Sequence, residues 1–241
     1  MTELKLEHYK VEKVPATAYY IPDFISKDEE TYLTEQVYAA PKPKWKQLSN
    51  RRLQNWGGLP HPKGMIAEKL PKWLEVYSQK IAELRIFGDL VPNHVLVNEY
   101  QPGQGIMPHE DGPLFHPVVT TISLGSHTFL DFYQHRRDAS EAGDAITQSA
   151  QDHDMPSEAS VQQPVFSLLL QPRSLLILKD DMYTSCLHGI AERTDDVVTE
   201  KVANLDRTGR ALGDGLERSC RISLTIRYVP KTLKMKLFGK S

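Results

Sequence analysis

Cysteine is scarce in this chain: Cys186 and Cys220 are the two among 241 residues. Two cysteines cannot brace a disulfide scaffold, and their scarcity fits a reducing compartment. No apolar run approaches the ~20 residues that cross a bilayer. The opening stretch MTELKLEHYKVEKV is charged and has no apolar centre, so it does not read as a secretory signal. Charge of one sign is also missing. Lysine and arginine number 29 against 31 aspartates and glutamates, a formal net charge of -2. Contact with nucleic acid would therefore need a local basic patch. No internal repeat is visible and no nuclear-import cluster is clear. What remains is a chain with no membrane partner, expected in the cytoplasm or nucleus, of a length that suits one structural domain.

The stretches that are present change character along the chain. YYIPDFISKDEETYLTEQVYAA reads as a short strand, a turn and a helix, with Ser26 and Glu29 spaced as a capping box and Leu33 and Val37 on one helical face. PKPKWKQLSNRRLQNWGGLPHPKG has no clean period and is a long loop or a pair of short hairpin strands. LPKWLEVYSQKIAELRIFG places Leu74, Tyr77, Ile81 and Leu84 at helical spacing, with Gly88 as the expected end. From residue 91 onward HVLVNEY, VVTTISLG, HTFLDFYQ, FSLLLQ, SLLILK and CRISLTIRYV read as short strands between turn signals, the pattern of a sandwich or open barrel. Two polar stretches, 135–164 and 192–219, read as surface insertions, mobile in part.

Chemistry gathers in a few places. NEYQPGQGIMPHEDG contains the one H-x-D of the chain, His109 and Asp111. In an extended segment residues i and i+2 point to one side, so the imidazole and the carboxylate converge while Glu110 faces away. That pair suits Fe(II), Mn(II) or Zn(II), although a chance, solvated H-x-D is the bland alternative in a chain with nine histidines. The candidate third ligand is His188, after the apolar strand SLLILK and before a glycine. Two histidines and one carboxylate form a facial triad that leaves positions open on a non-haem iron. In RISLTIR, Arg221 and Arg227 fall on one strand face and Ile222, Leu224 and Ile226 on the other. Two arginines on a core strand would be met well by a dicarboxylate, through the fork of the guanidinium. The alternative is an exposed sheet face with solvated arginines.

H-x-D, a distant histidine and R-x5-R in this order, together with PDFIS, RLQNWGGLPHPKG, NHVLVNEYQPGQGIMPHEDGPLFHP, TISLGSHTFLDFY, LLLQPRSLLIL and LHGI, resemble the AlkB family of Fe(II)- and 2-oxoglutarate-dependent dioxygenases over nearly the whole chain. The resemblance implies a mainly β fold: a double-stranded β-helix, or jelly-roll, core over 91–241, with N-terminal helices and a substrate lid over 1–90 packed on it. It implies Fe(II) as cofactor, with 2-oxoglutarate and O2 as co-substrates. His109, Asp111 and His188 would bind the metal. Arg221 would pair with the distal carboxylate of 2-oxoglutarate, Arg227 would reach its chelating end, and Asn98 and Tyr100 would hydrogen-bond it. There are two departures. DNA-repairing members often carry asparagine where this chain has Ser223, still at the co-substrate position. They also carry an acid where it has Pro113.

The resemblance implies oxidative demethylation or hydroxylation of a modified nucleic acid, RNA in preference to double-stranded DNA. A protein side chain as substrate, and a weakly catalytic binder of modified RNA, are the alternatives. Lys42, Lys44, Lys46, Arg51 and Arg52, interleaved with Trp45 and Trp56, occupy the segment where family members carry a nucleotide-recognition lid. Cations among aromatics suit a single strand. Lys46, Arg51, Arg52 and Trp56 are the expected substrate contacts; a solvated loop anchored by its tryptophans is the competing reading. No catalytic residue beyond the iron ligands is expected.

Overall fold

The computed structural model describes residues 5–134 and 163–233. The insertion expected at 135–164 lies outside them except for its last two residues. In chain order the elements are β1 (Ala18–Ile21), α1 (Lys27–Ala39), β2 (Trp45–Leu48), β3 (Arg51–Trp56), β4 (Met65–Ile66), α2 (Lys72–Ala82), β5 (His94–Tyr100), β6 (Ile106–His109), β7 (Val118–Leu124), β8 (Thr128–Gln134), β9 (Phe166–Leu170), β10 (Leu175–Lys179), α3 (Asp181–Thr184), β11 (Cys186–Ile190), β12 (Asp195–Val197), β13 (Gly215–Glu217), β14 (Arg221–Arg227) and β15 (Thr232–Leu233). A seven-stranded antiparallel sheet runs β1-β10-β7-β14-β5-β3-β2, and a four-stranded one runs β6-β11-β8-β9. This is the expected mainly β, jelly-roll architecture with helices packed on it.

The two-residue period of the large sheet sorts its side chains into two cores. On the outer face Ile222, Leu224 and Ile226 of β14, Val95 and Val97 of β5, and Leu175 and Ile177 of β10 meet Leu33 and Val37 of α1 and Trp73, Leu74, Tyr77 and Ile81 of α2. On the inner face Tyr100, Val119, Leu176 and Leu178 meet Leu130, Phe132, Leu168, Leu170 and Ile190 of the small sheet. The two sheets therefore face each other across a shared interior.

The N-terminal helix starts where its sequence says. Ser26 Oγ accepts from the Glu29 amide at 3.1 Å, and the Glu29 carboxylate accepts from the Ser26 amide at 2.7 Å. The end of α2 departs from expectation. It stops at Ala82, well short of Gly88, and Arg85 turns the chain with a φ of 58°. Leu84 and Ile86 still pack on the outer core. The apolar spacing therefore outlives the helix and misplaces its end.

The expectation that 192–219 is a loose surface insertion is corrected. β12 and β13 pair as a hairpin, and Val198, Val202 and Leu216 pack on Phe129 and Leu169 on the outside of the small sheet. Its charges neutralise one another indoors. Asp196 is 1% exposed and accepts from Arg218 through two bonds of 2.6 and 2.8 Å. Arg193 lies 2.8 Å away, and His127 3.1 Å. A polar composition can be built into a fold when its charges pair. Burial pushes the Asp196 carboxyl up, but His127, Arg218 and Arg193 together hold it down at about 2.

Replacing Asp196 by alanine should therefore destabilise the protein by about 3–5 kcal/mol at neutral pH, because Arg218 is left buried without its partner. The same pair sets an acid limb. The carboxyl is depressed in the folded chain, so its contribution is complete above pH ~4 and fades as pH falls towards about 2, a loss of about 2 kcal/mol. Urea unfolding of both proteins across pH 2 to 7 reads both effects; equal midpoints throughout would discard the argument.

Candidate active site

The interior between the sheets holds a cavity of about 240 Å³. At one part of its wall β6 and β11 lie side by side, with His109 directly opposite His188 and the ring centroids 4.6 Å apart. The glycine after His188 permits this approach. A Cβ on Gly189 would lie 2.9 Å from the Ile106 carbonyl and 3.0 Å from the Pro108 nitrogen. The pairing shifts register between His188 and Ile190, at a place where Pro108 has no amide to donate. His109 Nδ1 sits 2.9 Å from the Met107 carbonyl. A carbonyl can only accept, so Nδ1 carries a proton here, which leaves Nε2 as the nitrogen that can turn to a metal. Burial, the largest influence, pushes His188 down to about 4, so this imidazole is neutral at physiological pH.

Asp111 completes the group. One carboxylate oxygen is held by Arg227 Nη1, and the other lies 3.7 Å from His188 Nε2. As the side chains stand, no three histidine, cysteine or carboxylate residues among the described residues are drawn together as a finished metal cage. Asp111 is turned towards Arg227. The donor set nevertheless fits a divalent iron: two imidazoles and one carboxylate oxygen face a common space, with Met107 behind His109 and Arg227 behind Asp111, while His188 Nδ1 is buried without a partner among the described residues. Glu110 also lines the cavity, contrary to the expectation that it faces away. The extended backbone stops at His109, so strand alternation no longer governs the next residue.

The co-substrate candidates line the same cavity. Across β5 and β14, Tyr100 is opposite Arg221 and Asn98 opposite Ser223, and all four reach the wall. Arg221 is 4% exposed. Its Nη2 donates to Ser123 Oγ at 3.0 Å, its Nε has no acceptor, and among the described residues no carboxylate pairs with it. Burial lowers it to about 10, which still leaves it charged. Tyr100 packs under the guanidinium at 5.8 Å. Arg227 lies at the other end of β14, its guanidinium 3.9 Å over the Phe115 ring. Beside it His94 is fully buried with neither ring nitrogen bonded; burial first and Arg227 second push it down to about 3, so it is uncharged.

Known proteins supply the family. The model of the 2OG-Fe(II) oxygenase superfamily matches residues 29–227. A Danio rerio protein named probable RNA/DNA demethylase ALKBH6 is 57% identical over 233 residues, covering 97% of this chain and 94% of that one. The chain belongs to the 2OG-Fe(II) oxygenase superfamily. It resembles the sixth eukaryotic AlkB homologue in particular, as the motifs of its sequence do. The Xenopus tropicalis tRNA (carboxymethyluridine(34)-5-O)-methyltransferase alkbh8 is 25% identical over 229 residues, 90% of this chain but 32% of that protein. OsALKBH1 shares the fold, with a TM-score of 0.51 and 14% identity over 87% of this chain and 97% of that one. As a member of this superfamily the protein is a 2-oxoglutarate-dependent dioxygenase that uses Fe(II) and O2.

The oxygenase's expected substrate residues divide between two faces of one hairpin, β2–β3. Arg51 lines the cavity and donates from Nε to Asn98 Oδ1 at 3.2 Å. Lys46 is exposed, and its cross-strand partner Leu53 in turn pairs with Asn98. Arg52 and Trp56 stand on the other face, away from the cavity. They lie on the helix side, because alternation turns them there. Arg52 forks onto Glu99 with two bonds of 2.7 Å and lies 4.2 Å over the Trp45 ring. Trp56 packs edge-on against Trp73 at 5.6 Å, with Lys44 4.4 Å over its ring. Sequence reading missed Thr121, Thr225 and Ser123, of which Thr121 and Thr225 line the cavity while Ser123 bonds Arg221. The signal was present: Thr121 and Ser123 stand two apart in VVTTISL, and Thr225 stands two from Ser223 and Arg227 in RISLTIR.

Arg52→Ala should consequently act on stability rather than on nucleic acid. It removes the counter-charge of the Glu99 carboxylate, 4% exposed as a side chain, and leaves it the Gln101 amide at 3.1 Å, which should cost about 2–3 kcal/mol. Thermal unfolding together with an RNA titration tests this; a stable variant with weakened RNA binding would return Arg52 to the substrate surface.

Proposed function

We propose that His109, Asp111 and His188 hold the iron, and that Arg221, with Asn98, Tyr100, Ser223 and Arg227, holds 2-oxoglutarate for oxidative demethylation or hydroxylation of a nucleic acid, RNA in preference to double-stranded DNA. One observation carries this reading: a fully desolvated guanidinium without a carboxylate partner, opening into the same cavity as the two histidines and the aspartate. Such a charge is costly unless an anion meets it. A five-carbon dicarboxylate supplies one carboxylate for Arg221 and leaves its other end for the metal.

When bound, Fe(II), 2-oxoglutarate and O2 together supply the oxidation of a substrate C–H bond. The chain's own part is positional. Arg227 restrains one Asp111 oxygen, leaving the other free towards His188. The Met107 carbonyl holds the His109 proton on Nδ1. Leu130, Leu170, Leu176 and Leu178 keep the cavity wall apolar, which excludes water and strengthens each charge inside. The nucleic-acid substrate draws support from the relatives' names, an RNA/DNA demethylase and a tRNA-modifying enzyme. A protein side chain is the second reading, and the displacement of Arg52 and Trp56 to the helix side favours it.

His188→Ala should abolish succinate formation. Arg221→Met should raise the KM for 2-oxoglutarate by roughly 10–100-fold, the loss of a charge-assisted bond, and Arg221→Lys should restore part of it. Unchanged KM in Arg221→Met would refute the pocket. Hydroxylation of an N-methyl group releases formaldehyde, so methylated RNA, DNA and peptides can be compared by that product; release from peptides alone would select the second reading.

A further inference from the structure

Arg51 stands in a row that its own hairpin does not explain. β3 pairs with β5 from Arg52 opposite Glu99, so Arg51 comes level with Tyr100, which itself lies opposite Arg221 on β14. Three neighbouring strands thus present Arg51, Tyr100 and Arg221 side by side on the cavity face, two guanidiniums flanking one phenol. Neither guanidinium has a carboxylate partner among the described residues. The contrast with Arg52 is local, since that neighbouring guanidinium is saturated by Glu99.

Place along the strand matters as much as charge. Arg51 shares the Arg221 end of the cavity. Arg227, which holds Asp111, marks the other, six residues further along β14. The turn of the hairpin also reaches across that end. Asn50 Nδ2 donates to the carboxylate of Glu192, two residues past β11 of the opposite sheet. Arg51 is therefore tethered where the distal carboxylate of a dicarboxylate would sit, not where a substrate base would meet the metal.

We propose that Arg51 is a second co-substrate cation rather than a nucleic-acid contact. Joined to Asn98 and facing Arg221 across Tyr100, it closes on the distal carboxylate, so that co-substrate binding fixes the β2–β3 hairpin before the polymer arrives. This rests on the assignment of the Arg221 pocket to 2-oxoglutarate.

The test uses the full chain loaded with Mn(II) and N-oxalylglycine, a non-reacting analogue with both carboxylates. Calorimetry should show the dissociation constant of the analogue raised roughly tenfold or more in Arg51→Met, the loss of one charge-assisted bond, and partly recovered in Arg51→Lys. Hydrogen exchange of amides 45–56 should slow on adding the analogue to the unmodified chain and stay unchanged in Arg51→Met. An unaltered thermal midpoint of ligand-free Arg51→Met shows that the variant folds; if it does not, Arg51→Lys with intermediate affinity carries the decision. Normal analogue affinity in Arg51→Met, with RNA binding weakened instead, overturns the proposal. Arg221→Met run in parallel separates the two claims. If it too binds normally, the pocket itself is misassigned; if it alone loses the analogue, only the role of Arg51 falls.

Discussion

A guanidinium kept out of water, with no counterion among the described residues, is the constraint around which this fold is arranged. Arg221 opens β14, a strand flanked on both sides by ladder partners, so it cannot swing out to solvent without breaking the sheet. Its charge persists because burial lowers it only to about 10. The sheet carries that cost through the apolar packing of Ile222, Leu224 and Ile226 on its reverse face. One strand thus holds the charge on one side and much of the stabilising burial on the other.

The same logic recurs at the opposite end. Arg227 is placed by the same strand period, but it meets Asp111 and the Phe115 ring instead of empty space. The pairing leaves Asp111 with one committed oxygen and one free. Next to it His94 and His188 are both driven to the neutral form by burial. For His188 as the proposed metal ligand that is the useful form, since a protonated imidazole has no lone pair to give. The cavity therefore holds Arg51 and Arg221 towards one end and Arg227 towards the other.

Polar composition proved a poor guide to depth. The segment 192–219 looked too hydrophilic for an interior, yet Asp196 and Arg218 are almost wholly buried because they satisfy each other. The β2–β3 hairpin taught the converse. Its cations and tryptophans read as one surface, but the two-residue period sends Arg52 and Trp56 to the helices and Arg51 to the cavity. Counting charges in a window gives a patch; assigning them to faces requires knowing that the window is a strand.

Local patterns carried a large share of the answer. Strands β5, β7, β8, β9, β10 and β14, the capping box at Ser26, and the shared strand faces of Asn98 with Tyr100 and of Arg221 with Arg227 follow from periods and caps that neighbouring residues set by themselves. The end of α2 did not, since Leu84 and Ile86 keep their apolar contacts after the helix stops. Nor could spacing alone bring His188 opposite His109. Nearly eighty positions separate them, and only the close approach of β6 to β11 over Gly189 makes them neighbours. The sequence by itself determined which residue types could hold a metal and a dicarboxylate, because strand alternation acts over two residues. Tertiary structure decided which of them meet and which cations stay unpaired, because burial and pairing depend on strands distant in the chain.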